Sequence, residues 1–298
     1  MDTLFVVQGE YAAATLDHSA QSYMMMLRSF CPQFLDGVVE MPVGRADGED
    51  ISSVVDRKRE DTRRRFARLV PVGTIPFVQA FLSWQRSTGA HPDADAAMTP
   101  LEVPESLRRF VSRPYAIVCG SDLPEGRIDG NRWFMKDASH LKRWAVPMAN
   151  HSIEHGVDRD GTLYVVSGRV EFASEWRVFV HGDEVLSANF YMGNPLAFPS
   201  RETVSEMVRA YAESGEHPSA YTLDIGVREV AGRIVTEPLE VHPFAACGLY
   251  GFFDRDVPAM LSEGYEWYAS GASARHGVVA ESVDEAEGRL GTPIVMRG

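Results

Sequence analysis

Lysine is almost missing from this chain. Of 29 basic residues only three are lysine (Lys58, Lys136 and Lys142), and the other 26 are arginine. A compact ammonium on a flexible stem is not interchangeable with a planar guanidinium, so a lysine kept in such a sequence invites the question of what needs it. The plain alternative is a solvated surface residue. Cysteine is equally scarce. Cys31, Cys119 and Cys247 are too few and too scattered for a disulfide framework or a zinc cluster, which fits a reducing cytoplasm. No apolar run approaches the ~18 residues of a membrane helix. Met1–Gly9 carries Asp2 and no basic lead, so no signal peptide is expected. Positive charge is short as well: 29 basic against 42 acidic residues leave −13. That balance speaks against a broad nucleic-acid face and against adhesion to anionic membrane.

What remains is ordinary globular material, 45% hydrophobic and 24% charged over 298 residues, enough for one or two domains. The first third alternates strand and helix. Thr3–Val7 reads as a buried strand, His18–Phe30 as a helix, Val38–Met41 as a second strand and Ser52–Leu69 as a long helix. Within that helix Asp56–Arg68 holds seven basic and three acidic residues. Ion pairs such as Glu60–Arg64 and Asp61–Arg65 account for it better than a nucleic-acid patch, since no aromatics interleave the charges. Phe77, Phe81 and Trp84 form an apolar helical stripe, and residues 88–104 read as a loop. A short helix at Glu105–Val111 and a strand at Tyr115–Val118 follow.

The second part is rich in strands: Arg132–Lys136, Leu163–Val166, Arg169–Phe172, Glu175–His181, Glu184–Tyr191, Tyr221–Val227 and Arg233–His242. Gly182-Asp183 marks a hairpin, and one helix runs from an N-cap at Ser200 to Gly215. The texture is α+β behind an α/β lead. The boundary is expected near Ser112, giving domains 1–112 and 113–298, the latter with subdomains at about 113–170 and 171–298. Beyond Phe253 a packed helix and strand are expected, with a loop at Ala272–Gly277.

Three constellations carry chemistry. Trp133-Phe134-Met135-Lys136-Asp137 ends an apolar strand in a lysine, and a short loop leads to Lys142. Two flexible ammonium groups across a loop suit a polyphosphate, although the Walker spacing is absent. On a later strand Glu175 and Arg177 share a face. They suit a hydroxyl and a phosphate, or equally a cross-strand ion pair. Asp224 and, sixteen residues on, Glu240 and His242 bring carboxylates together. A divalent cation held by hard oxygen ligands explains such a group; pairing with each other or with arginine is the alternative.

In this order the three motifs resemble the ATP-grasp superfamily, and within it the clade marked by one arginine and two lysines. The similarity runs from about Tyr115 to about Phe253. It implies two α+β subdomains clamping ATP behind an N-terminal α/β domain. It further implies Lys136 on the ATP phosphates, Lys142 in a loop covering them, and adenine received by backbone groups of Gly168, Arg169, Val170 and Glu171. Glu175 would take the ribose hydroxyls and Arg177 would stand near the phosphates. Asp224, Glu240 and His242 would hold Mg²⁺. The family pattern has Asn at the place of His242, which makes Mn²⁺ an alternative and leaves His242 a second role outside the metal. The loop Asp137–Lys142 also departs in having no glycine.

Members of this kind join a carboxylate to an amine through an acyl phosphate and release ADP. The implied activity is therefore an ATP-dependent carboxylate–amine ligase acting on small molecules, with Arg177 and Lys142 catalytic. The alternatives are a catalytically weak nucleotide-binding module working through a partner, or a ligase on a nucleic-acid-linked substrate. A homodimer is the base-rate expectation.

Overall fold

An apolar strand without polar alternation is buried on both faces, as in a parallel sheet covered by helices. β1 (Thr3–Gln8) is the middle of a parallel sheet of order β2-β1-β3, with β2 (Val38–Met41) and β3 (Arg68–Val72). The computed structural model describes residues 3–9, 19–31, 34–41, 48–141, 145–146, 152–153 and 157–296. Helices α1 (Ser19–Phe30), α2 (Gly48–Thr62) and α3 (Ile75–Ser87) bury Met26, Ile51, Phe77 and Phe81 in one core with that sheet.

The expected helix Ser52–Leu69 is shorter and starts earlier. Arg63 takes a left-handed φ of 52°, and the chain re-enters the sheet as β3. Charged residues with good helix propensity conceal this stop in the sequence. Arg64 and Arg65 therefore lie off the helix; Arg64 reaches Asp36 at 3.6 Å, and on the helix Arg59 pairs with Asp56 at 3.1 Å. Pro71 fits in β3 because that strand is an edge, where a missing N–H is tolerated.

The next segment supplies β4 (Tyr115–Cys119), β5 (Arg127–Asp129), β6 (Trp133–Asp137), β7 (Ala145–Val146), β8 (Ser152–Ile153) and β9 (Leu163–Gly168). An antiparallel sheet of order β4-β9-β6-β7 forms from these. The expected strand Arg169–Phe172 is instead an irregular linker leading to the third sheet. That sheet has the order β11-β10-β12-β13, from β10 (Ser174–His181), β11 (Glu184–Gly193), β12 (Ala220–Val230) and β13 (Arg233–Pro243). Gly182 turns the β10–β11 hairpin with a φ of 59°, a conformation open to glycine. Helix α4 (Arg201–Ser214) starts where the Ser200 hydroxyl accepts from Thr203 N at 3.2 Å. Its Val204, Met207 and Val208 pack on Trp176, Val178 and Val180.

The end of the chain returns to earlier elements. Helix α5 (Val257–Ala269) buries Tyr265 and Tyr268 in the core of the parallel sheet. Residues 272–275 form a helical turn where a loop was expected. Helix α6 (Val283–Leu290) and β14 (Val295–Met296) join the core of β4, β6 and β9, and β14 pairs with β5. Among the described residues no helix is long and apolar enough to cross a membrane.

Candidate functional site

The alternation of β6 buries Trp133, Met135 and Asp137 on one face and turns Phe134 and Lys136 to the other. Lys136 thereby faces a cleft of about 440 Å³ between the β4-β9-β6-β7 and β11-β10-β12-β13 sheets. Its ammonium is held by Glu102 Oε2 at 3.0 Å and by Glu240 Oε2. Burial alone would push the Lys136 pKa down; the two carboxylates outweigh it and raise it. Burial works upward on Glu240, but His242 and Lys136 hold that carboxyl well below the usual range. Glu102 moves the opposite way, because its burial exceeds the pull of Lys136.

The linker closes one end of the cleft. Gly168, Arg169, Val170 and Glu171 all line it. Two of their backbone donors are already used: Gly168 N–H donates to Pro114 O and Arg169 N–H to Arg132 O, both at 2.8 Å. The expectation of four residues receiving a base through backbone groups therefore narrows for donors to Val170 and Glu171. The Phe172 ring lies against Gly226, where an added Cβ would approach it to 2.3 Å. Gly226→Ala should thus expel the ring and lower affinity for the nucleotide that the sequence resemblance implies by about tenfold, or about 1.4 kcal/mol. Isothermal titration with ATP checks this; unchanged affinity would remove Phe172 from the cleft's function.

Arg113 and Glu237 lock the two sheets together beside the linker. Arg113 Nε donates to Ser167 Oγ at 2.9 Å and Nη1 to Pro238 O at 3.2 Å. Its Cζ stands 5.7 Å from the Phe172 ring centroid. Buried Glu237 takes Ser112 N at 2.7 Å and Arg228 Nε at 2.6 Å, and faces Arg113 Nη1 at 3.3 Å. Burial pushes the Glu237 carboxyl up, but Arg113, the Ser112 amide and Arg228 hold it below its ordinary value of 4.5. A depressed folded-state pKa contributes stability that is present above the unfolded value and lost as pH falls through the folded one. The melting-temperature gap between wild type and Glu237→Gln should therefore be full at pH 7 and shrink below pH 4.5. A gap independent of pH would contradict this linkage.

The third sheet sets the remaining groups in a row. Asn189, Arg177, Asp224 and Glu240 are register neighbours across β11, β10, β12 and β13. Arg177 grips Asp224 with two bonds of 2.7 Å, Nε to Oδ1 and Nη2 to Oδ2. It also donates to Gly248 O at 3.1 Å and lies 5.1 Å from the Tyr250 ring centroid. Of the two readings of Glu175 and Arg177, the cross-strand ion pair is present for Arg177, with Asp224 as partner. Glu175 lines the cleft and accepts from Tyr191 Oη at 2.8 Å. Burial raises its pKa; the Tyr191 bond opposes, and Asp224 and Glu240 add to the rise.

His242 bonds Glu240 Oε1 through Nε2 at 2.7 Å. Among the described residues no group of three metal-binding side chains is present. Asp224, Glu240 and His242 share a sheet face but are not assembled as a cage. The two adjacent carboxylates suit an ion that takes its other ligands from phosphate. Lys142 lies outside the described residues. The turn leading toward it is held by Asp137 Oδ1, which accepts from Ser139 N at 2.8 Å and His140 N at 3.0 Å. An aspartate cap thus does the ordering that a glycine loop would do elsewhere.

Sequence alone does not single out Glu102, Arg113 or Tyr191. Glu102 lies in a stretch read as loop, and only its isolation between Leu101 and Val103 hints at burial. Tyr191 was within reach, since it alternates with Asn189 on β11.

Comparison with known proteins gives the class to which this arrangement belongs, that of ATP-grasp domains. The matching family model describes an ATP-grasp domain, the second family of the clade named for one arginine and two lysines. It matches residues 110–260, a span that includes both sheets of the cleft. The chain belongs to this family. The α+β ATP-grasp fold implied by the sequence motifs is the fold of the chain. Among solved structures, D-alanine–D-alanine ligase from Bacillus anthracis complexed with ATP is 10% identical, covering 92% of this chain and 98% of its own, with a TM-score of 0.47. The ATP-grasp ligase PsnB, complexed with a phosphomimetic variant of its minimal precursor, Mg and ADP, is 15% identical over 89% of this chain and 99% of its own, with a TM-score of 0.42. N5-carboxyaminoimidazole ribonucleotide synthetase from Thermus thermophilus is 14% identical over 79% of this chain and 71% of its own, with a TM-score of 0.41. The search of curated proteins found no match.

Proposed function

We infer that the chain is an ATP-dependent ligase that joins a small-molecule carboxylate to an amine through an acyl phosphate, releasing ADP and phosphate. The observation that carries this reading is one cleft in which Lys136, the Val170–Glu171 linker, Glu175 and Glu240 meet. Val170 and Glu171 receive the base, and Glu175, steadied by Tyr191, takes the ribose hydroxyls. Lys136 leaves Glu102 and Glu240 in part to neutralise phosphate oxygens. Lys142, outside the described residues, is assigned to the same phosphates by the family resemblance. Arg177 stabilises charge on the acyl phosphate while keeping Asp224 in place. Mg²⁺, or Mn²⁺, held by Asp224 and Glu240, supplies neutralisation of the phosphate charge when bound. His242 acts here by orienting Glu240, with direct metal ligation as its second role.

The same reading divides the chain into a lead of residues 1–112 and a clamp of 113–298, with lobes at about 113–170 and 171–298. The segment 283–296 is added to the first lobe, on whose core it packs. Three free cysteines go with the reducing cytoplasm expected from their number. A second reading, nucleotide binding without turnover, is favoured by the Arg177–Asp224 pair, which occupies both oxygens of one metal-binding candidate.

Incubation with ATP, Mg²⁺ and panels of amino acids and other carboxylates decides between them. The ligase reading predicts ADP and phosphate that depend on both substrates. AMP with pyrophosphate would sink it; bound nucleotide that never turns over would leave the binding module.

A further inference from the structure

A strained tyrosine stands beside the Glu175 end of the cleft. Phe252 N–H donates to Leu249 O at 2.8 Å and closes a tight turn between β13 and α5. Its two central residues, Tyr250 and Gly251, have left-handed φ values of 46° and 83°. Positive φ at both positions is the mark of a type I′ turn, where asparagine and glycine are at ease and a bulky residue is strained. The strain is held from below. Leu249 and Phe252 are buried in the core of the parallel sheet, and the Phe252 ring stacks on Phe179 with centroids 4.0 Å apart. Asn189 on β11 fixes the tip as well, its Nδ2 donating to Tyr250 O at 3.0 Å. The Ser187 hydroxyl orients that amide by donating to Asn189 Oδ1. A backbone outlier that its surroundings over-determine in this way points to a function.

The Tyr250 side chain is 44% exposed, so burial does little to offset the strain. What its ring meets is Tyr191, a wall of the cleft, with centroids 5.0 Å and planes 24° apart. Arg177 Cζ stands 5.1 Å from the same ring's centroid. Tyr191 in turn donates its hydroxyl to Glu175 Oε2 at 2.8 Å. The register of β10 and β11 explains why Tyr191 needs a support. It steps from Trp176 opposite Phe190 to Glu175 opposite Met192, which leaves Tyr191 as the extra residue of a bulge. A bulge re-aims its side chain and leaves it without a cross-strand partner. The Tyr250 ring supplies the side that is missing.

We propose that Tyr250 is a positioning residue: by stacking on Tyr191 it holds Glu175 in the orientation that recognises the ribose hydroxyls of the nucleotide. This deepens the proposed function and rests on its reading of Glu175. With Mg²⁺ present, the full chain is titrated calorimetrically against ATP and against 2′,3′-dideoxy-ATP, which lacks both hydroxyls. Wild type should bind ATP about tenfold or more tightly, since the analogue leaves the Glu175 carboxylate without donors. In Tyr250→Gly that ratio should fall below about threefold, although glycine suits the left-handed φ and melting curves should show the variant folded. Tyr191→Phe, which keeps the stack and removes the hydroxyl, should lower the ratio as far. Tyr250→Phe, which keeps the ring, should retain the wild-type ratio. A merely structural ring would weaken both nucleotides alike and leave the ratio unmoved. Should Tyr250→Gly not fold, Tyr250→Leu takes its place with the same expectation. A wild-type ratio that survives loss of the ring, or that disappears in Tyr250→Phe, overturns the positioning and leaves the ribose reading standing. If wild type shows no preference for ATP, the reading of Glu175 falls; if neither nucleotide binds, the nucleotide reading falls; and the role of Tyr250 falls with either.

Discussion

Lys136→Ala is expected to lower ATP turnover by about 10²–10³-fold, because in the proposed function it removes the cation that would neutralise the phosphates. The same change uncovers a structural debt. Glu102 is buried and has Lys136 as its cationic partner, so the variant leaves a carboxylate where water cannot solvate it. An uncompensated buried charge of this kind costs about 3–5 kcal/mol. Glu102→Gln in the same chain removes that charge. The double variant should therefore recover most of the lost stability in urea while turnover stays low. Recovery of turnover together with stability would mean that Lys136 is a structural cation only. Wild-type turnover in the single variant would exclude this account of the strand.

The second large effect concerns the Arg177–Asp224 pair. Both side chains are nearly buried and joined by two bonds of 2.7 Å. Asp224→Ala strands the guanidinium and should cost about 3–5 kcal/mol in denaturant unfolding. Arg177→Met with Asp224→Leu removes both charges, and buried pairs replaced by apolar residues are often close to neutral. That double variant should fold with near wild-type stability and have no ligase activity. Activity retained in it would free the row Arg177–Asp224–Glu240 of any part in catalysis. A double variant as unstable as Asp224→Ala would show that packing, not charge, governs the site.

The parts of the molecule legible in the sequence are those set by local alternation. Trp133–Asp137 announces which side Lys136 takes, and Glu175, Arg177, Asp224 and Glu240 follow from the same two-residue period. The meeting of Asp224 with Glu240 was readable too, from two successive strands, whereas the place of Arg177 beside Asp224 depends on the non-sequential pairing of β10 with β12. What was not legible depends on long-range packing. Glu102 reaches Lys136 from an irregular segment with a left-handed backbone, and nothing periodic marks it. The stop of α2 at Thr62 is masked by a run of arginines whose helix propensity continues past it. The aromatic residues after Phe253 had no assignable place, since α5 packs on a sheet from the far earlier part of the chain. The linker 169–172 looks like a strand in composition, but Arg169 uses its N–H on Arg132 O and pairing goes no further.

The scarcity of lysine acquires a physical meaning in this setting. Lys136 is a point charge between two carboxylates, a position a rigid guanidinium fork fills less readily. Arg177, by contrast, meets the two oxygens of one carboxylate side by side, the geometry that favours arginine.

A crystal structure of the protein with a non-hydrolysable ATP analogue and Mg²⁺ tests the central claim most directly. The account predicts the base against Val170 and Glu171, the ribose at Glu175, and the phosphates at Lys136 with the metal on Asp224 and Glu240. A nucleotide bound outside the cleft, or one in the cleft with its phosphates directed away from Lys136, would contradict it.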